Sequence, residues 1–332
     1  GRIQAIFAPD SRQLGECRST TKTAMNPKHR SAAASPREAV PEMLKVTGPD
    51  LDPALPLVTV GIRFHQVDLI GLLERCLQGV AAQCGVRVHV QLALQGFDKD
   101  AEANTQKAAL DALDGSGFSL AIDNVQNPDK LDLRSRLLNR FVERHYNMAQ
   151  SDYLCFIDFD DIWFHHALKT LIEPLVMADF ALSYADIHCA DLYYDSGQIY
   201  LRGIEDKYGI STKTKRDLKT ENFLPLHSYM FHTGRIKQST LRYDETLERL
   251  EDYDVLLSVA RNHAFSGLYR DKLIGLYNFY TTGKGGMNTT QNVFDPTSDP
   301  CSREPWDKAI RSVLSRHAGL PWLEFFGEEI KL

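Results

Sequence analysis

Four short apolar runs, separated by amphipathic stretches, occupy the chain between Leu57 and Ile157. The runs are Leu57 to Phe64, Val86 to Leu94, Phe118 to Ile122 and Tyr153 to Ile157, and each reads as a buried strand. Between the first two, Val67 to Ala82 sets Ile70, Leu73, Leu77, Val80 and Ala81 along one helical face. Ala103 to Leu113 reads as a second helix, and Leu133, Leu137, Leu138, Phe141 and Val142 recur at helical spacing in a third. Strands that return through helices lie parallel, so the alternation predicts an α/β fold on a mainly parallel sheet flanked by helices.

Beyond Asp161 the texture changes. A helix is expected through Ala167, Leu168, Leu171, Ile172, Leu175 and Val176, kinked or shortened by Pro174. Phe180 to Tyr184, Leu192 to Tyr194 and Gln198 to Arg202 read as short strands, with Asp195-Ser-Gly197 as a hairpin turn. The polar, Lys-rich stretch from Gly203 to Asn222 is expected to be a mobile loop. Helices return at Asp252 to Asn262 and around Trp306 to Arg316.

Residues 1–55 are rich in Ser, Thr, Ala, Arg and Pro and lack sustained periodicity, which predicts a flexible arm, a linker or the remnant of an adjacent domain. Up to Lys45 the arm carries eight Lys or Arg against four Asp or Glu, so contact with a membrane surface or a partner is its other reading. The main domain is expected over 56–292, with 293–332 as a helical tail packed on it. The chain opens on Gly-Arg rather than Met, as a piece of a longer protein would.

A net charge of -6 argues against a general nucleic-acid binder. No apolar run is long enough for a transmembrane segment. Six cysteines without a C-x-x-C pair suit neither a zinc knuckle nor a disulfide framework. Cys76, Cys84 and Cys155 sit in apolar patterns as reduced core residues. A cytoplasmic protein is expected, with a peripheral position at the inner face of the membrane as an option.

Two acidic motifs could carry chemistry. In Phe156-Ile-Asp158-Phe-Asp160-Asp161, three carboxylates follow directly on an apolar strand. Like charges so close repel, and a hard divalent cation, Mg2+ or Mn2+, relieves the repulsion. At the carboxyl end of a parallel strand they would face the ligand crevice. A solvated turn capping the next helix is the plainer alternative, and Asp161 suits that role. The second motif, Glu251-Asp252, opens an amphipathic helix with Val255, Leu256, Val259 and Ala260 on its apolar face. Carboxylates favour a helix amino terminus on dipole grounds alone, and one so placed can equally act as a general base.

The stretch from Val58 to about Thr290 resembles family 2 glycosyltransferases of the bacterial surface-polysaccharide type, which carry the GT-A fold. Val58-Thr-Val-Gly-Ile-Arg-Phe-His-Gln66 is similar to the family's opening strand, and Arg134-Ser-Arg-Leu-Leu-Asn139 to its helix before the metal strand. Tyr153 to Asp161 resembles the Y-x-x-F-x-D-x-D-D core. Phe223 to Phe231 is similar to the segment lining the acceptor side, and Tyr243-Asp-Glu-Thr-Leu with Glu251-Asp252 resembles the block that carries the base.

The resemblance implies a Rossmann-like mixed sheet with a smaller acceptor-side β portion, and an enzyme of polysaccharide biosynthesis. Asp158 and Asp160 would hold Mg2+ or Mn2+ on the diphosphate of a nucleotide-sugar donor, with a UDP-sugar the first expectation. Asp252 would be the base of a single, inverting displacement, with Glu251 orienting or replacing it. Arg63, His65, Gln95 and Arg134 fall on the donor side, although Arg134 could instead pair with Asp132. Gln95 stands where many members carry aspartate. His227 and Ser228 fall near the metal or the acceptor, a glycan or lipid-linked sugar; a buried core histidine fits His227 equally. Thr281 to Thr290, Gly-rich with Lys284, would be a closing lap or an ordinary loop. A sugar nucleotidyltransferase ranks lower because Arg63-Phe-His-Gln66 lacks glycines. The other class of reading is a decayed GT-A domain acting as a binding or scaffold module in a larger polysaccharide-assembly protein.

Overall fold

The four apolar runs become neighbouring strands because each is largely buried on both faces, which requires cover on either side of the sheet. The computed structural model describes residues 42–126, 133–148, 151–195, 198–247, 249–280 and 300–323. The first strands are β1 (Met43–Lys45), β2 (Leu57–Phe64), β3 (Arg87–Gln95), β4 (Ser119–Val125) and β5 (Tyr153–Asp158). They are followed by β6 (Ile162–Trp163), β7 (Leu182–Asp195), β8 (Gln198–Glu205), β9 (Tyr229–His232) and β10 (Phe265–Tyr280). The helices are α1 (Ile70–Ala81), α2 (Lys99–Leu113), α3 (Arg134–Met148), α4 (Ala167–Met177), α5 (Glu251–Asn262) and α6 (Pro300–His317).

One sheet runs in the order β1-β4-β3-β2-β5-β9-β7-β10-β6, with β8 paired to β7. Strands β4, β3, β2 and β5 are mutually parallel, as are β7 and β10, so most of the paired length is parallel. Strands β1, β6, β8 and β9 join antiparallel. The α/β expectation holds, with the parallel block formed by the four runs that predict it. Gly61, mid-β2, is required by packing: a Cβ there would meet Phe156 Cδ1 at 2.7 Å. No described helix is long and apolar enough to cross a membrane.

Several expectations are corrected. Within the predicted arm, β1 pairs with β4 and Val46 is buried, so paired structure begins ahead of residue 56. The two strands expected at 180–184 and 192–194 are one long strand, β7, and β8 continues to Glu205. The stretch expected to be a mobile loop carries two single turns of 3-10 helix, Ile210–Thr212 and Lys215–Lys219, with Ile210, Lys215 and Leu218 buried. Lys215 tolerates burial because its ammonium donates to the carbonyls of His263 (2.8 Å) and Leu323 (3.0 Å). Cys84 is exposed, whereas Cys76 and Cys155 are buried and free as expected. Pro174 lies inside α4, which continues past it to Met177 and so covers the whole expected stretch. Residues 281–290, with Lys284, and Asp132 lie outside the described residues.

His145 of α3 locks the helix to the sheet: Nδ1 lies 2.9 Å from Thr59 Oγ1 and Nε2 lies 2.7 Å from Thr233 Oγ1. Burial pushes its pKa down to about 4, with Asp152 working the other way. The unfolded chain takes up that proton near pH 6.5, so the stabilisation is complete above that value and is lost as pH falls towards 4. The loss from this residue is roughly 3 kcal/mol at most. His145→Gln is expected to flatten the acid limb of melting temperature against pH between 6.5 and 4; identical limbs would contradict the assignment.

Candidate active site

Strands β2 and β5 are parallel neighbours, and their register sets Arg63 opposite Asp158 at the carboxyl ends of both. Arg63 Nη2 donates to Asp158 Oδ1 at 2.6 Å, and Nη1 lies 4.0 Å from Glu251 Oε1. Arg134, the first residue of α3, brings Nε to 3.5 Å from the same Glu251 oxygen. Four residues from four different elements thus form an alternating string of charge.

The turn after β5 is fixed from below. Asp161 Oδ1 accepts from the amide of Asn278 on β10 at 2.8 Å, and the Asn278 side chain donates to the Asp160 carbonyl. His227 is fully buried, with Nδ1 3.2 Å from Asp161 Oδ2, its ring stacked on Tyr277 and its carbonyl accepting from Trp163 Nε1. Asp161 therefore braces the turn on β10 and His227. It does not cap α4, whose N-cap is His166 without a side-chain bond.

These environments pull the carboxylates apart. Burial works against charge on Asp158, but Arg63 and Arg134 overcome it and hold its carboxyl below the usual range. Asp160 is pushed up to about 7, first by burial and then by the charge of Asp158. Asp161 is raised further, by burial and both neighbours. Burial likewise lowers His227 to about 4, so it is a neutral imidazole at pH 7. A divalent cation between Asp158 and Asp160 would remove the repulsion between them, and the acid-only donor set suits Mg2+ or Mn2+.

Helix α5 begins on a backbone anomaly. Leu250, its N-cap, has φ 61°, the one positive φ outside glycine among the described residues. That conformation costs a side-chain-bearing residue about 1–2 kcal/mol, and it turns the chain so that Glu251 points inward. Glu251 is 5% exposed and Asp252 is partly open. Burial and Asp252 push Glu251 up to about 7 against the opposing pull of Arg134 and Arg63. Burial also raises Asp252, which accepts from the Tyr253 amide and from the Asn222 side chain. Asn139 of α3 clasps the approach to α5, accepting from Tyr243 N and donating to Tyr243 O and Glu245 Oε1. Two motifs about a hundred residues apart are in this way joined.

Among the residues singled out in the sequence, Arg63, Arg134, Asp158 and Glu251 touch or nearly touch, with Asp160 and Asp252 beside them. His65, exposed, sets its ring against Phe159, and Gln95 ends β3, the next strand along the parallel block. His227 and Ser228 lie fully buried beneath the β5 turn. Arg134 faces Glu251. The reading of sequence missed Asn222, Asn278 and Tyr277. An asparagine inside the apolar run Leu276-Tyr-Asn-Phe-Tyr280 was the available signal for Asn278.

No family model matches the chain, and no curated protein does. Among solved structures it is similar to TarS 1-349 from S. aureus in complex with UDP-GlcNAc, at 14% identity and TM-score 0.49. That match covers 83% of this chain and 76% of the other. TarS 1-349 without a named ligand gives the same identity and TM-score over 79% and 71%. The mannosyltransferase PcManGT from Pyrobaculum calidifontis, in complex with GDP-Man and Mn2+, is similar at 12% identity and TM-score 0.46, over 83% and 74%.

Proposed function

We propose that the chain is a metal-dependent, inverting glycosyltransferase of the family 2 type that takes a sugar from a nucleoside-diphosphate donor. The observation that supports it is the convergence, at the carboxyl ends of β2 and β5, of two acid groups of opposite character. In this reading Asp158 and Asp160 would hold the cation on the donor diphosphate, and Asp252 with Glu251 would meet the attacking hydroxyl; their closeness through Arg63 supports it.

Mg2+ or Mn2+, held by Asp158 and Asp160, would stabilise negative charge on the leaving diphosphate. Arg134 and Arg63 supply positive charge on the same side, and His65 and Gln95 border the path to the nucleotide. Asp252, the more open carboxylate, takes the proton from the acceptor hydroxyl; Glu251, pinned by two guanidinium groups, positions it. His227 and Ser228 support the turn from behind. The donor is a UDP-sugar in the first instance, and the acceptor a glycan or lipid-linked sugar of a surface polysaccharide. The protein works in the cytoplasm or at the inner membrane face, alone or beside further domains.

The Arg63–Asp158 ion pair also favours a second reading, since it already satisfies one proposed metal ligand. A decayed domain used as a binding module could keep that pair permanently. Calorimetry with UDP, GDP, CDP and dTDP, each with and without Mn2+, separates the two. Mn2+-dependent binding of one nucleotide by the intact chain, lost in Asp160→Ala, is the expected result. No binding of any of the four with Mn2+ present would leave the module reading in its place.

A further inference from the structure

We propose that Asp186, His188 and Asp206 form a divalent-cation site at the root of the β7–β8 hairpin, separate from the β5 turn and suited to a borderline ion such as Zn2+. Asp186 and His188 are two apart on β7 and so project from the same face. The hairpin pairs Cys189 with Glu205, which brings the next residue, Asp206, down beside His188. One ligand atom from each of the three lies within 4.8 Å of the others, and His188 Nε2 is 3.2 Å from Asp186 Oδ2. Two ligands lie on one paired strand, and the third follows directly on the last pair of the hairpin.

Charge supplies an independent reason. The Asp186 side chain is only 6% exposed, yet among the described residues it pairs with no lysine or arginine. One of its oxygens accepts from the Ile187 amide at 3.0 Å, and the other faces the cluster. Asp206 is similarly anchored through one oxygen, by the Gly209 amide at 2.7 Å. The adjacent ammonium, Lys207, is engaged elsewhere: it stands 4.0 Å from Glu205 and over the Phe279 ring. A buried carboxylate facing a second one is short of counter-charge, which a cation would supply.

The donor chemistry selects the ion. Mg2+ and Ca2+ prefer all-oxygen sets, whereas an imidazole with two carboxylates suits Zn2+. Three protein ligands leave a fourth position for water. The half-buried His188 and exposed Asp206 leave the site open to solvent. Cys189, on the other face of β7, is raised first by its burial, with Lys207 opposing and Asp161 and Asp206 both adding smaller contributions. The site is thus a neighbour of the β5 turn and shares none of its carboxylates.

Zn2+ titration of the full chain, followed by calorimetry, tests this with four proteins: wild type, His188→Ala, Asp206→Asn and Asp158→Asn. Wild type is expected to bind Zn2+ at the hairpin site, and Asp158→Asn, which removes a proposed ligand of the separate β5 turn, to keep that binding event. His188→Ala and Asp206→Asn should bind about a hundredfold more weakly, and neither replaces a fully buried residue, so circular dichroism should show both folded. Unchanged affinity in His188→Ala, loss confined to Asp158→Asn, or no Zn2+ bound by wild type would each overturn the assignment.

Discussion

Asp252→Asn is expected to lower glycosyl transfer by about 10²- to 10⁴-fold, the usual span for a lost general base, while donor affinity stays within a few-fold. The asymmetry between the two acids of α5 carries this expectation. Glu251 is almost wholly enclosed and lies within 4.0 Å of both Arg63 and Arg134, whereas Asp252 is partly open, accepts from an amide and the Asn222 side chain, and feels the two arginines from further off. Glu251→Gln should act differently, weakening donor binding and turnover together because it breaks the charge string. The base must be ionised, and burial raises Asp252 above its ordinary value. Activity should therefore fall with decreasing pH earlier than an exposed aspartate would dictate, which a kcat profile against pH would show. If Asp252→Asn kept full turnover, the base would have to be another residue.

Arg63→Ala is expected to cost about 3–5 kcal/mol of stability, the range for breaking a buried ion pair from one side. The guanidinium is 13% exposed, donates to Asp158 at 2.6 Å and stands 4.0 Å from Glu251, which Arg134 approaches to 3.5 Å. Without it, Asp158 keeps only the more distant influence of Arg134 while Asp160 and Asp161 remain beside it. Arg63→Lys should recover part of the loss, since one ammonium keeps the charge but cannot reach both partners as the fork does. Urea denaturation of the three proteins measures this directly; a loss below about 1 kcal/mol, the worth of an exposed ion pair, would show the pair to be effectively solvent-screened.

The parallel block was legible because β2, β3, β4 and β5 are short, rich in apolar residues and separated by well-patterned helices. The β5 turn and the start of α5 were legible for a different reason: runs of adjacent carboxylates are rare where apolar residues end. What escaped depended on partners far along the chain. Strand β10 carries Arg270-Asp-Lys272, which fall at a register shift in its pairing with β7, so its sixteen residues show no continuous apolar pattern. Lys215 sits in a stretch whose composition signals solvent, and the carbonyl of Leu323 that receives it lies 108 residues away. The Asp186–His188–Asp206 grouping has no contiguous motif, since the hairpin alone brings it together.

Leu250 has one more consequence. Glycine would adopt its left-handed turn without penalty, yet the chain carries a leucine whose side chain packs against the core. The turn that aims Glu251 and Asp252 is therefore held by the hydrophobic interior and not by the loop's own preference. In this arrangement the interior acts as a gauge of the two acids: small packing defects near Leu250 would loosen them before they loosened the fold, and the proposed transfer activity would register damage that a melting curve misses.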